Sequence, residues 1–329
     1  IAVARSAGVI LTWDDMDQLS QIVPLLARVY PNGDADVNRF AAASGPGFVF
    51  RELMDAGLMH DDLATIAEGG MRAYAQEPRL IDGKVVYAPA VAHSADTEVV
   101  RPATEPFEAQ GGLRLLKGNI GSSLIKLSAV KPQYRTIEAP AVVVDAPQAL
   151  NKLHAAGALP QDFVAVVRYQ GPRANGMPEL HSLAPLLGLL QNQGRRVALV
   201  TDGRLSGASG KIPAAIHVTP EAARGGPIAR IREGDIIRLD GEAGTLEVLV
   251  DATEWATRAV AANTAPAGHD LGRNLFAMNR RVVGPADQGA ISISCGPARA
   301  DGSVWAYDAE YELGHDAAAA AAPHEAKDA

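Results

Sequence analysis

One cysteine, Cys295, stands in a chain of 329 residues. A lone thiol excludes an intrachain disulfide and any multi-cysteine metal site built by this chain alone, and it points to a reducing, cytoplasmic compartment. No apolar run approaches the roughly eighteen residues that a membrane-spanning helix needs, so the membrane is excluded as a partner. Aromatics make up 5% of the residues and no Lys/Arg stripe is interleaved with them; the formal net charge of -8 would repel a long phosphate backbone, which excludes nucleic acid. An initiator Met is also lacking. Ile1 to Gly8 has neither the basic start nor the small-residue cleavage site of a signal peptide. Ile1, Val3 and Ala4 read instead as the last turns of a buried helix closed by Gly8, so the chain is expected to begin inside a structural element, as a fragment would.

What is present is an ordinary globular composition, 47% hydrophobic and 21% charged, long enough for two packed units. Thr12-Trp13-Asp14-Asp15 is a capping-box-like start, and Met16, Leu19, Ile22, Val23, Leu26 and Ala27 follow at helical spacing until Pro31-Asn32-Gly33. Further helices are expected from Phe48 to Ala56, before Gly57, and from Asp61-Asp62 through Leu63 to Ala75. Pro78 to Pro106 is Pro-rich and aperiodic and reads as a linker or crossing segment.

After Gly111-Gly112 the texture changes to short β-type runs. These are Leu113 to Leu116, Leu124 to Val130, Ala141 to Asp145, Phe163 to Tyr169, Val197 to Thr201, Ile236 to Leu239 and Thr245 to Val250, with helices interposed at Pro147 to Ala156 and Glu179 to Gln193. The fold class expected is therefore α/β, a helical first unit followed by a mixed α/β barrel, closed or partly closed. The stretch holding Ala317 to Ala322 is a low-complexity tail.

Two loops carry the chemistry. The run Val197 to Lys211 leads an apolar strand into a loop with Gly203, Gly207, Gly210, Ser206, Ser209, Arg204 and Lys211. Its glycines allow close approach to a ligand, and its hydroxyls and cations suit a phosphorylated or carboxylated small molecule; a bland Gly-rich connection accounts for the composition equally well. It is not a P-loop, because Leu205 stands where that motif needs Gly and Ile212 where it needs Ser or Thr. The run Val164 to Leu180 is again strand then Gly/Pro loop and places Glu179 at the mouth of the expected helix. There a carboxylate is as readily a helix stabiliser as a ligand. His217 reads as a packed strand-end histidine and Cys295 as a small core residue.

Arg168-Tyr-Gln-Gly-Pro-Arg-Ala-Asn-Gly-Met-Pro-Glu-Leu180 and Thr201-Asp-Gly-Arg-Leu-Ser-Gly-Ala-Ser-Gly-Lys-Ile-Pro-Ala-Ala-Ile-His-Val-Thr-Pro-Glu-Ala222 closely resemble the two signatures of the dihydroxy-acid and phosphogluconate dehydratases. Gly112 to Gly121, Ala139 to Val144 and Gly234 to Ile237 support the resemblance. Ser206 to Ala214 and Tyr30-Pro-Asn-Gly33 are similar to the phosphogluconate branch.

The resemblance implies a hydro-lyase that converts 6-phospho-D-gluconate to 2-dehydro-3-deoxy-6-phospho-D-gluconate in the Entner-Doudoroff pathway. A dihydroxy-acid dehydratase and a non-catalytic binding module are the alternatives. It implies a homodimer, a 4Fe-4S iron-sulfur cluster and Mg²⁺ or a similar divalent ion. Ser206 is then the base, as its alkoxide, Glu179 the metal ligand, and Arg204 and Lys211 partners of the substrate's carboxylate or phosphate. It also implies that residues 1–80 complete a cluster-bearing domain, 81–110 link, 111–300 form a swivelling barrel-like domain and 301–329 are tail. The chain departs from the pattern in lacking the cluster-ligating cysteines, which belong to a region before the position of Ile1, so expressed as it stands it is expected to bind no cluster and dehydrate nothing.

Overall fold

The computed structural model describes residues 1–207, 210–264 and 275–292; Cys295 and the Ala-rich tail lie outside them. Its centre is a closed barrel of eight strands. In chain order these are β3 (Leu113–Gly118), β4 (Gly121–Lys126), β5 (Thr136–Val144), β6 (Phe163–Val167), β7 (Val197–Thr201), β8 (Ala214–Thr219), β9 (Ile236–Asp240) and β10 (Thr245–Val248), arranged around the barrel as β10-β3-β4-β8-β7-β6-β5-β9. Strands β5 to β8 pair in parallel and most of the remainder antiparallel. The fold is therefore mixed α/β, as expected.

Period-two alternation explains why the parallel strands read as unbroken apolar runs. Along β6, Val164 and Val166 point into the barrel core with Val200 of β7 and Ile137 of β5, while Phe163, Ala165 and Val167 point outwards. The outer face is covered by α5 (Pro147–Ala155) and α7 (Ala184–Asn192), whose Leu150, Leu186, Leu187 and Leu190 complete a second core. Both faces of β6 and β7 are dry, so no residue in either strand is exposed.

The helical first part holds α1 (Ala2–Ser6), α2 (Trp13–Ile22), α3 (Val37–Ala43) and α4 (Gly45–Asp55). Thr12 and Asp15 form the expected capping box of α2. That helix does not continue to Ala27, however, because Pro24 has no N–H to donate to the Ser20 carbonyl. Gly111 N–H takes that carbonyl instead, and the Ser20 hydroxyl and Asp17 carboxylate accept from the N–H groups of Leu113 and Leu115. The helix so truncated docks on the first barrel strand.

Three expectations are corrected here. Asp61 to Ala75 is not an α-helix: only Gly70–Ala75 forms a 3-10 turn, entered through Gly69 and Gly70 at φ +94° and +64°. The stretch read as a linker contains a hairpin, β1 (Gln76–Ile81) and β2 (Lys84–Pro89), turned by Asp82-Gly83 with both φ positive, the Asp-Gly pattern of a two-residue hairpin loop. Beyond it, Val100 and Glu108 bridge to Ala27 and Leu25, and Val99 and Val100 are buried with Phe48 and Ala43, so this part of the chain is packed structure. Finally, His217, expected at the end of a strand, lies inside one, because β8 runs on to Thr219.

Candidate active site

Strands β6 and β7 are parallel neighbours, so the loops at their carboxyl ends, 168–183 and 202–213, emerge side by side. They are zipped together by a parallel bridge between Glu179 and Arg204, with Leu180 N–H donating to the Arg204 carbonyl at 3.1 Å. This corrects the placement of Glu179, which lies on a bridged extended segment; the α-helix begins only at Ala184, after a 3-10 turn from His181 to Leu183. Its carboxylate is held by the other loop. Oε1 accepts the main-chain N–H of Ser206 at 2.9 Å, and Oε2 lies 3.7 Å from the Arg204 guanidinium, whose Nε donates to the Met177 carbonyl at 3.0 Å. Ser206, Glu179 and Arg204 thus form one cluster.

Lys211 is set apart from that cluster. Its Nζ lies 4.9 Å above the ring of Tyr30, a cation-π contact, and it makes no ion pair among the described residues. Nearby, the Ser128 hydroxyl bonds the Asn32 side-chain oxygen at 3.0 Å. Tyr30 and Lys211, one from each of the two stretches singled out for the branch assignment, therefore meet in space.

Beneath the loops lie two buried carboxylates, Asp202 and Glu221, neither of them among the expected site residues. Asp202, fully buried, accepts from Gln170 N–H at 2.8 Å and Ala222 N–H at 3.0 Å, tying together the loops after β6, β7 and β8. Glu221, 2% exposed, accepts from the N–H groups of Arg173 and Ala174. Burial pushes Asp202 up to about 6 and raises Glu221 in the same direction, against the pull of those N–H donors. Close approach fixes the neighbouring residues too: a Cβ on Gly203 would lie 2.7 Å from Gln170 Cβ, and one on Gly171 would lie 2.8 Å from Glu221 Cβ. The signal available in the sequence was the Thr201-Asp-Gly203 and Thr219-Pro-Glu221 strand endings.

His217 lies within β8, half-buried, at φ +60°, with its ring 6.4 Å from that of Trp13. Burial first, then the cations Lys126 and Arg204, hold its imidazole down to about 4, so it is neutral at pH 7. It lines a cleft of about 280 Å³ with Trp13, Met16, Leu124 and Met177. Lys126, at the end of β4, also escaped notice; its Nζ donates to the Leu205 carbonyl at 3.0 Å.

The described residues do not by themselves satisfy a metal or cluster. No group of three or more His, Cys, Asp or Glu among them could hold a metal ion, and Glu179 offers a single carboxylate. Nor is any helix among them long and apolar enough to cross a membrane.

Comparison with known proteins agrees with this geometry. A family profile described as dihydroxy-acid/6-phosphogluconate dehydratase C-terminal matches residues 98–290, and its N-terminal counterpart matches residues 1–74. The chain is 51% identical over 294 residues to a phosphogluconate dehydratase of Pseudomonas aeruginosa, covering 89% of this chain and 48% of that protein. It is 54% identical over 291 residues to one of Rhizobium meliloti, covering 88% and 48%. A dihydroxy-acid dehydratase of Sulfurisphaera tokodaii is 34% identical over 297 residues, covering 89% and 50%. The chain spans about half the length of the curated relatives it matches. With both signature loops joined at Glu179 and Ser206 and the C-terminal profile covering every strand of the barrel, the chain belongs to the dihydroxy-acid/6-phosphogluconate dehydratase family.

Proposed function

We propose that this chain supplies the base-bearing half of a cytoplasmic, homodimeric hydro-lyase that dehydrates 6-phospho-D-gluconate. In this reading residues 1–80 complete the cluster-bearing unit, 81–110 join it to the barrel, and 111–300 form the swivelling barrel. The observation that carries it is the hydrogen bond from the main-chain N–H of Ser206 to Glu179, which holds the backbone of the serine against the carboxylate where the two loops pair.

The reaction follows from these groups. The Ser206 oxygen, deprotonated, takes the proton from C2; the C2–H electron pair becomes the C2=C3 double bond; the C3–O bond breaks with its pair on oxygen, the hydroxide takes a proton from solvent and leaves as water, and the Ser206 hydroxyl returns its proton to solvent. The resulting enol moves its C2 hydroxyl proton to C3 and gives the 2-keto acid. A base for so weak a carbon acid must be desolvated and near cations, and Arg204 and Lys126 lie around this loop. Glu179 is a hard oxygen donor suited to Mg²⁺. The other cation ligands and the thiolates of a 4Fe-4S cluster would come from outside the described residues.

Lys211 over Tyr30 is the anion-binding end in this reading, a cation beside the 30–33 stretch that meets the phosphate, with Arg204 near the carboxylate. The test is to join this chain to the N-terminal half of the Pseudomonas aeruginosa relative and assay 6-phosphogluconate, gluconate and dihydroxyisovalerate. Preference for the phosphorylated acid supports the reading. Equal turnover with and without phosphate removes its substrate, and preference for dihydroxyisovalerate moves it to the other branch.

A further inference from the structure

Lys126 is out of place in its surroundings. Its stem enters a narrow recess lined by Leu205, Ile212, Ala214 and Ile216 beneath the Ser206 loop, a setting in which an apolar side chain would pack without loss. The side chain is half-buried, and that partial loss of water pulls its proton affinity down while Glu179 pulls it up. The charge is compensated by one hydrogen bond, 3.0 Å from Nζ to the Leu205 carbonyl, which belongs to the peptide unit leading directly into Ser206. The other side of that peptide unit is Ser206 N–H, which donates to Glu179 at 2.9 Å. The Leu205-Ser206 peptide is therefore gripped at its oxygen by a cation on β4 and at its nitrogen by a carboxylate on the neighbouring loop. Arg204 flanks Glu179, and His217, on β8, faces Lys126 as a neutral ring.

We propose that Lys126 is the positioning residue for Ser206: it locks the Leu205-Ser206 peptide and supplies the positive charge that an ionised Ser206 oxygen faces. This rests on the reading of Ser206 as the base. A lysine kept only to prop the loop would be replaceable by any donor of similar length, whereas this role needs both the bond and the charge.

Three substitutions separate the roles. Lys126→Met removes bond and charge; Lys126→Gln keeps a donor and removes the charge; Lys126→Arg keeps both. In the joined enzyme, kcat is expected to fall about 100-fold in the Met and Gln variants with KM for 6-phosphogluconate changed less than about threefold, and Arg is expected to restore most of it. In this chain alone, the ¹H–¹⁵N resonance of Ser206 is expected to move in Lys126→Met and to stay near its wild-type position in Lys126→Arg. Wild-type kcat in Lys126→Gln, in an enzyme that Ser206→Ala inactivates, overturns the inference and leaves the base reading intact. Turnover by Ser206→Ala removes the base reading instead, and an unmoved Ser206 resonance in a folded Lys126→Met chain then overturns the positioning contact as well. Should Lys126→Met lose its dispersed spectrum, kcat of the Gln variant against that of the Arg variant carries the test, and a Gln variant as active as Arg overturns the inference.

Discussion

The main-chain N–H of Ser206 donates to Oε1 of Glu179 at 2.9 Å, although the two residues are 27 positions apart and on different loops. The proposed base and the proposed metal ligand are thus held in register by one bond across the Glu179–Arg204 bridge. Removing the acceptor in Glu179→Ala should raise the amide exchange rate of Ser206 about 10-fold, the equivalent of one hydrogen bond. Glu179→Gln keeps an acceptor oxygen and should leave the rate near wild type; equal rates in both variants would show that the bond does not hold the loop.

Gly203 sits where a methyl group has no room. Its Cβ would lie 2.7 Å from Gln170 Cβ and 3.1 Å from Leu180 Cδ1, both on the partner loop. Gly203→Ala should therefore lower stability by about 1–3 kcal/mol, the usual cost of overpacking, measured as a lower urea midpoint. It should also shift the Glu179 and Ser206 amide resonances, because the same loops carry them.

Two buried groups pull stability in opposite directions between pH 4 and 6.5. Asp202 is raised by burial to about 6, so the folded state binds its proton more tightly than the unfolded chain; stability from this group is full below the ordinary carboxylate range and is lost as pH rises through about 6, roughly 3 kcal/mol in all. His217 is held down to about 4, so its contribution is present above its ordinary value of 6.5 and lost as pH falls through about 4. In the wild type the two slopes largely offset each other over this window, and urea unfolding of single variants at stepped pH should separate them. Relative to wild type, His217→Gln should gain stability as pH falls from 6.5 to 4, and Asp202→Asn should gain as pH rises from 4 to 6. Parallel profiles for all three proteins would contradict both assignments.

Much of the barrel was legible because its parallel strands are buried on both faces and their apolar runs are bounded by turn residues. Val197 to Thr201 matched residue for residue, and Phe163 to Tyr169 differed only at its end. The failures have local causes. Pro24 ended a helix whose apolar spacing runs past it, and β8 was legible only through His217, read as the end of a strand that in fact continues to Thr219. The hairpin's Asp82-Gly83 turn was a signal present but outweighed by the prolines around it. At the site, Ser206, Glu179 and Arg204 could be named from the signatures, but Lys126, Asp202 and Glu221 could not. Their importance lies in which main-chain groups they hold, and that depends on three strands being neighbours.

The contact of Lys211 with Tyr30 carries its own expectation. In the joined enzyme, Lys211→Met and Tyr30→Ala should raise KM for 6-phosphogluconate about 10-fold and leave KM for unphosphorylated gluconate unchanged. Equal effects on both substrates would place the phosphate elsewhere.

The proposal that Ser206 removes the C2 proton is tested most directly by the single-turnover rate of 6-phosphogluconate dehydration in the joined, iron-loaded enzyme with Ser206 and with Ser206→Ala. Loss of the base should lower that rate by at least about 10³-fold while substrate still binds. A Ser206→Ala enzyme that keeps its fold and its iron and dehydrates within tenfold of wild type would contradict it.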